Sequence, residues 1–261
     1  MSKKAVFFDI DGTLWDEQFV IPKSTRLAVR ELRANGHYAF LCSGRTRAFI
    51  RDENLMSLGF DGVLSGCGTQ IEYQGRTLFY KKLEKELIHR AIHILRENHV
   101  SAIFEGRYHL YLDEEEFKGD AYVEKLRETL GEDAYTIAGN EDKMEISKFS
   151  CYAAEEAYTK VIPLLEKDYT PLMHNARIAE FVPKGFSKAS GIAKACELLA
   201  IAHEDTYAFG DSVNDVEMLA YVQHGIVMGN GTEAAKKAGD YITTSIHEDG
   251  IYNGLAHFGL V

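Results

Sequence analysis

This sequence predicts an α/β fold: a doubly wound, mainly parallel sheet interrupted by an inserted α+β module. Three observations carry that expectation. Short apolar strands alternate with amphipathic helices in the first and last thirds of the chain. The middle third instead pairs strands between helices, the pattern of an antiparallel sheet. Polar clusters stand at the ends of apolar strands, where open parallel sheets place ligands.

The elements follow in order. Residues 5–8 are a buried strand running into an acidic loop. Residues 23–35 carry Leu27, Ala28 and Leu32 at helical spacing and stop at Gly36. A second apolar strand, 38–42, leads into Ser43-Gly44-Arg45, and a second amphipathic helix runs on to Leu58-Gly59. A strand at 62–64 precedes a hairpin, 69–73 and 77–80, that turns at Gln74-Gly75. The helix predicted over 84–98 aligns Leu87, Ile88, Ala91, Ile92 and Leu95. Strands near 101–105 and 108–112, a helix at 120–130, a strand at 145–152, a helix at 155–166 and strands at 169–174 and 177–182 complete the middle. Helix–strand alternation then returns at 189–200, 206–209, 213–221, 225–228, 232–238 and 241–243. The expected domains are a core of residues 1–82 and 185–261 and an insertion of residues 83–184, an ordinary domain size.

Composition bounds the function. A chain of 261 residues with 46% hydrophobic and 26% charged residues can bury a sizeable core. The net charge of −11 argues against nucleic acid as the main partner, and it means that an anionic substrate needs particular Lys and Arg residues. Cys42, Cys67, Cys151 and Cys196 form no C-x-x-C pair, which suits buried thiols in a reducing cytosol. The first apolar run ends at Asp9 and no later run reaches membrane-spanning length, so a cytoplasmic protein without a membrane partner is expected. Composition leaves the oligomeric state open.

Four polar clusters carry the chemistry: Asp9/Asp11/Thr13, Ser43/Gly44/Arg45, Lys184–Lys188 and Gly210–Asp215. Two aspartates at i and i+2 repel each other and call for a cation, a shared proton or both. A carboxylate such as Asp9 can attack phosphorus and hold the phosphoryl group. Oxygens from Asp9, Asp211 and the Asp11 carbonyl suit octahedral magnesium (Mg2+). The Ser43 hydroxyl and Lys188 ammonium can neutralise phosphoryl oxygens, and Asp11 can move a proton at the leaving oxygen.

Asp9-Ile10-Asp11-Gly12-Thr13 resembles the first motif, D-x-D-G-T, of the haloacid dehalogenase (HAD) superfamily. Ser43, Lys188 and Gly210-Asp211-x-x-Asn214-Asp215 match its second, third and fourth motifs in order. The tail, Met228-Gly229-Asn230-Gly231 and Glu248-Asp249-Gly250-Ile251, is similar to the Cof-type branch. The stretch between Thr13 and Ser43 is too short for a cap, whereas that between Ser43 and Lys188 accommodates an α/β cap. The resemblance implies a HAD-like Rossmannoid core and a magnesium-dependent phosphatase acting on a small phosphorylated metabolite through an aspartyl-phosphate. It implies Asp9 as nucleophile and Asp11 as acid/base. Thr13, Ser43, Gly44, Lys188 and Asn214 would lie on the phosphate side, and Asp9, Asp11 and Asp211 at the metal. Asp215 reads as a metal ligand or the support of one, and Arg45 as a salt bridge or a substrate contact. A phosphosugar mutase and a phosphate-binding regulatory protein are the rival readings. The sequence departs from the branch at Ala189, after Lys188, and at Cys67, where an asparagine is usual.

Overall fold

The structure is a computed structural model that describes residues 2–261, apart from the side chains of residues 114, 121, 122 and 125. The chain opens with β1 (Ala5–Phe8), α1 (Lys23–Ala34), β2 (Tyr38–Cys42), α2 (Glu53–Met56), β3 (Gly62–Ser65), β4 (Gln70–Tyr73) and β5 (Arg76–Tyr80). The middle holds α3 (Lys85–Glu97), β6 (Ser101–Glu105), β7 (Leu110–Tyr111), α4 (Ala121–Leu130) and β8 (Ala134–Tyr135). It continues through β9 (Lys148–Tyr152), α5 (Glu155–Leu165), β10 (Tyr169–Met173) and β11 (Ile178–Pro183). The last part is α6 (Lys188–Leu199), β12 (Thr206–Gly210), α7 (Val216–Tyr221), β13 (His224–Val227), α8 (Glu233–Ala238), β14 (Tyr241–Ile242) and α9 (Gly250–His257).

Two compact units result. The first comprises Met1–Arg45, Ile50–Tyr80 and Phe186–Val261, and the second Thr46–Phe49 and Lys81–Gly185. The chain thus crosses between units at Tyr80/Lys81 and Gly185/Phe186, and makes a four-residue excursion at Thr46–Phe49 that the sequence did not announce.

The first unit is an eight-stranded sheet in the order β14-β13-β12-β1-β2-β3-β4-β5. Strands β14 to β3 run parallel, and β4 and β5 turn back antiparallel at one edge. Strand β1 is fully buried because both its faces are covered. Val6 and Phe8 pack with Val29 and Leu32 of α1 and with Leu255 of α9. Ala5 and Phe7 pack on the other side with Ile192 of α6 and Met218 of α7. Phe7 stacks on Phe40 at 5.0 Å and Phe8 on Phe209 at 5.2 Å, which locks β1 between β2 and β12. The carboxyl ends of these three central strands deliver Asp9, Ser43 and Asp211 to one edge.

The second unit is a six-stranded sheet in the order β10-β11-β9-β6-β7-β8, antiparallel except for the β7–β8 pair. One face, with Phe104, Phe149, Cys151 and Phe181, packs on Ile88 and Leu95 of α3 and Val161 of α5. The other gathers Ile103, Leu110, Leu112, Val123 and Leu130 with Ala48.

Several elements differ from expectation. The second amphipathic helix shrinks to a 3-10 turn at Arg47–Phe49 and a four-residue α2, because Asp52 accepts the Leu55 N–H and starts the helix late. The strands expected over 108–112 and 145–152 narrow to Leu110–Tyr111 and Lys148–Tyr152. Strand β8 and helix α9 lay outside the sequence reading. No helix of the described residues is long and apolar enough to cross a membrane. All four cysteines are buried thiols without a disulfide, and burial pushes the Cys42 thiol well up.

Candidate active site

Asp9 follows β1 directly, its backbone N–H still donating to the Phe209 carbonyl at 2.9 Å, so the sheet itself fixes its position. Its carboxylate is buried and meets Lys188, whose Nζ donates to Asp9 Oδ1 at 2.6 Å. Lys188 is the first residue of α6 and is only 1% exposed. A capping box between Ser187 and Ser190 fixes that turn, and such a cap contributes about 0.5–2 kcal/mol. Gly191 of the same turn packs its Cα against Gly68, where either glycine's Cβ would meet backbone below 3 Å.

Lys188 also donates to Asp215 Oδ1 at 2.6 Å and to Asn214 Oδ1 at 3.3 Å. Asp215 Oδ2 accepts the backbone N–H groups of Asp211 (3.0 Å) and Ser212 (2.9 Å) and the Ser212 hydroxyl. Both oxygens of Asp215 are therefore committed to Lys188 and to the turn after β12. Asn214 takes a second hydrogen bond, from Ser212 Oγ at 2.6 Å, so it orients Lys188 within this turn.

Asp211 Oδ1 accepts from the buried Thr13 hydroxyl at 2.8 Å. Gly12 lies against the same carboxylate: its φ is +79° and a Cβ there would stand 2.4 Å from Asp211 Oδ2. Only glycine allows that approach. The carbonyl of Gly12 accepts the Asn230 amide at 2.8 Å, and Asn230 Oδ1 accepts the Ile246 N–H at 2.9 Å, so the C-terminal tail braces the acidic loop.

Asp11 is less enclosed than Asp9 and Asp215, with half of its side chain exposed. Arg45 grips it with Nε to Oδ2 at 2.7 Å and Nη2 to Oδ1 at 2.8 Å, and the Trp15 indole donates to Oδ1 at 2.9 Å. Arg45 is thus the salt-bridge partner of Asp11 in this structure. Ser43 is buried, accepts the Arg45 N–H on Oγ at 3.2 Å, and is followed by Gly44 in the same loop. The carbonyls of Ser43 and Arg45 accept the N–H groups of Cys67 (3.1 Å) and Gly66 (2.8 Å). Cys67 therefore acts here through its backbone, in a left-handed turn with φ 53°.

Three carboxylates, Asp9, Asp211 and Asp215, bring oxygens within 4.8 Å of one another. A single ammonium faces them. Burial first, then the Asp215 charge, push Asp9 well above the usual carboxylate range despite Lys188. The same two causes push Asp211 up to about 6, against the Thr13 hydrogen bond. Burial works against the charge on Lys188, yet Asp215 and Asp9 outweigh it and keep the ammonium protonated. Burial opposes ionisation of Asp11 as well, but the Arg45 contacts win and hold it below its usual range. The trio carries surplus negative charge that an all-oxygen donor set would share with a hard divalent cation. Asp9 and Asp211 each keep one carboxylate oxygen outside the hydrogen bonds described, which fits that role better than Asp215 does.

The sequence reading named most of these residues but missed Trp15, Asn230 and Ser212. Asn230 lay within the Cof-like tail and had a signal; Trp15 and Ser212 had none beyond their neighbourhood.

The sequence profile of the haloacid dehalogenase-like hydrolases matches residues 6–255. The chain belongs to that family. It is an enzyme of the phosphatase type. YkrA of Bacillus subtilis, a chain designated as a phosphatase, is 29% identical over the full length of both proteins. The 5-amino-6-(5-phospho-D-ribitylamino)uracil phosphatase YitU of Bacillus subtilis is 25% identical, covering 97% of this chain and 96% of its own. Among solved structures, a HAD subclass IIB sugar phosphatase superposes with a TM-score of 0.84 at 26% identity, covering 99% of this chain and 100% of its own.

Proposed function

We propose that this HAD phosphatase hydrolyses a small phosphorylated metabolite, a sugar phosphate or phosphorylated cofactor, with magnesium and through an aspartyl-phosphate on Asp9. The observation that carries the reading is the trio of carboxylates, two of them buried, around one buried ammonium. Asp9 and Asp211, with the backbone carbonyl of Asp11, would hold the ion, and Asp215 would support them. Bound there, magnesium would offset the charge of the trio and of the phosphate, which otherwise repel each other.

Asp9 attacks phosphorus, forming an Asp–O–P bond as the bond to the leaving alcohol breaks. Lys188 and Ser43 hold the non-bridging oxygens, and Lys188 stays protonated because Asp215, and Asp9 while it is a free carboxylate, stabilise its charge. Asp11 delivers a proton to the leaving oxygen, then takes one from the water that opens the acyl phosphate. As found, Asp11 is in its base form under Arg45, ready for the second step. The first step needs it protonated, so the Arg45 contact must loosen when substrate is present. Two of the named relatives support the substrate class, one being a 5-amino-6-(5-phospho-D-ribitylamino)uracil phosphatase and the other a sugar phosphatase.

A panel of phosphorylated metabolites scored for inorganic phosphate tests this. Release is expected without a bisphosphate activator, to stop on chelation and to return with added magnesium. A requirement for the activator would turn the assignment to a mutase, and full activity under chelation would overturn the metal role.

A further inference from the structure

Helix α1 carries four cations, Lys23, Arg26, Arg30 and Arg33, and one carboxylate, Glu31, in a chain whose net charge is −11. Spacings of three and four residues put the cations on one face of the helix, in a stripe about 15 Å long. Like charges at those spacings repel each other along a helix. Lys23 opens the first turn, which holds no acidic residue, and there the helix dipole opposes a cation. The stripe is therefore unfavourable for α1 by itself, and a bound anion would relieve it.

Packing turns the stripe outward. Ala28, Val29 and Leu32 of α1 are buried in the core of the first unit, while Lys23 and Arg30 are exposed. The four cations line a groove of about 780 Å³ between α1 and the turn after α2, together with Leu27 and the buried Leu58. That is the size of a small-ligand site. Two contacts hold its walls. Arg26 Nη1 donates to the Ser57 hydroxyl at 3.2 Å and the Asn54 carbonyl at 3.5 Å. Arg33 grips Asp61 with Nη2 to Oδ1 at 3.1 Å and Nε to Oδ2 at 3.3 Å, and Asp61 also accepts the Ala39 N–H at 2.9 Å. Arg33 is thereby neutralised. Among the described residues, Lys23, Arg26 and Arg30 make no ion pair.

We propose that this groove binds a nucleoside triphosphate, with the polyphosphate along Lys23, Arg26 and Arg30 and the base against Leu27 and Leu58. Three cations without carboxylates suit a ligand with several adjacent negative charges, and the two leucines beside them suit one that also carries a ring. The Arg33–Asp61 pair ends the stripe, and the acidic remainder of the chain repels a longer polyanion, so a free nucleotide fits better than a nucleic acid. None of these residues belongs to the reaction centre, and the site does not depend on the phosphatase reading.

Calorimetric titration with adenylyl imidodiphosphate, which keeps the charge of ATP and resists hydrolysis, tests the site in the full chain. Binding is expected, weaker binding of inorganic tripolyphosphate, and none of adenosine. The double variant Lys23→Gln/Arg30→Gln should bind the nucleotide at least about tenfold more weakly, and added salt should weaken binding to the unaltered protein. Both positions are exposed and make no ion pair, so the variant should keep its native circular dichroism spectrum; if it does not fold, Arg30→Gln alone carries the comparison. Turnover of phosphate esters should be unchanged in either variant. Absence of nucleotide binding, or equal affinity in the folded variant, overturns the site. Equal affinity for tripolyphosphate overturns the role given to Leu27 and Leu58. Tighter binding of a single-stranded RNA than of the mononucleotide overturns the choice of a free nucleotide.

Discussion

Lys188 in the first unit and Lys148 in the second are both 1% exposed, and each stands between two carboxylates. Lys148 faces Glu180 at 2.7 Å and Glu105 at 3.4 Å; Thr46 and His174 take up the remaining oxygens, and Ser150 donates to the Glu105 oxygen that faces Lys148. Lys188 faces Asp9 and Asp215 at 2.6 Å each, but a third carboxylate, Asp211, shares the space. The electrostatic outcomes differ accordingly. Burial works against Glu180, but Lys148 and then His174 hold it at about 2; burial raises Glu105 against the pull of Lys148. Around Lys188, Asp9 and Asp211 both rise, through burial first and then the Asp215 charge, which the one ammonium does not offset. A closed charge network is a structural clasp; one with surplus charge is a site waiting for a cationic partner.

Breaking the surplus-charge centre at Asp9, the proposed nucleophile, should give the largest effect. Asp9→Asn is expected to lower turnover by at least about 10⁴-fold while the circular dichroism spectrum stays native; robust activity would remove Asp9 from the chemistry. Breaking the closed network should instead appear in stability. Lys148→Met strands Glu105 and Glu180 and should cost about 3–5 kcal/mol in urea unfolding; a loss below about 1 kcal/mol would mean the two networks are not different in kind. Asp11→Asn should still bind phosphate yet lose roughly a hundredfold on alkyl phosphates, measured as kcat.

The smallest effect sharpens the contrast through pH. Asp211 ionises at about 6 in the fold against 3.8 ordinarily, so the stability it contributes in protonated form is complete below 3.8 and is lost as pH rises through 6. In metal-free protein at pH 7, Asp211→Asn should therefore raise stability, by on the order of 2 kcal/mol. Added magnesium is expected to raise the thermal stability of the unaltered protein, and the same variant should lose that gain. If it destabilises instead, the surplus charge is not the feature that sets the centre apart.

Much of the site was legible because its residues stand where strands end. Asp9 terminates an apolar run, Ser43 follows the next and Asp211 follows β12, so a periodicity argument finds all three. Lys188 was legible through its match to the third motif of the family, at the start of a helix. The pairings were not. Trp15 and Arg45 on Asp11, and Asn230 on Gly12 across 218 positions, depend on how loops cross at the sheet edge. The helix expected after Arg45 failed for a similar reason. Ala48 satisfies a helical pattern in sequence, but it is buried in the second unit, leaving only a short helix after Asp52.

The sequence by itself determined the α/β class, and through the resemblance of its motifs the family. The class follows from local spacing, which a strand or helix converts directly into position. Only the tertiary structure decided that Asp215 braces a turn, that Arg45 holds Asp11, and that Thr46 leaves the core for Glu105. Those are choices among partners distant along the chain, and burial decides them: a charge removed from water pairs with whichever donor the packing brings within reach.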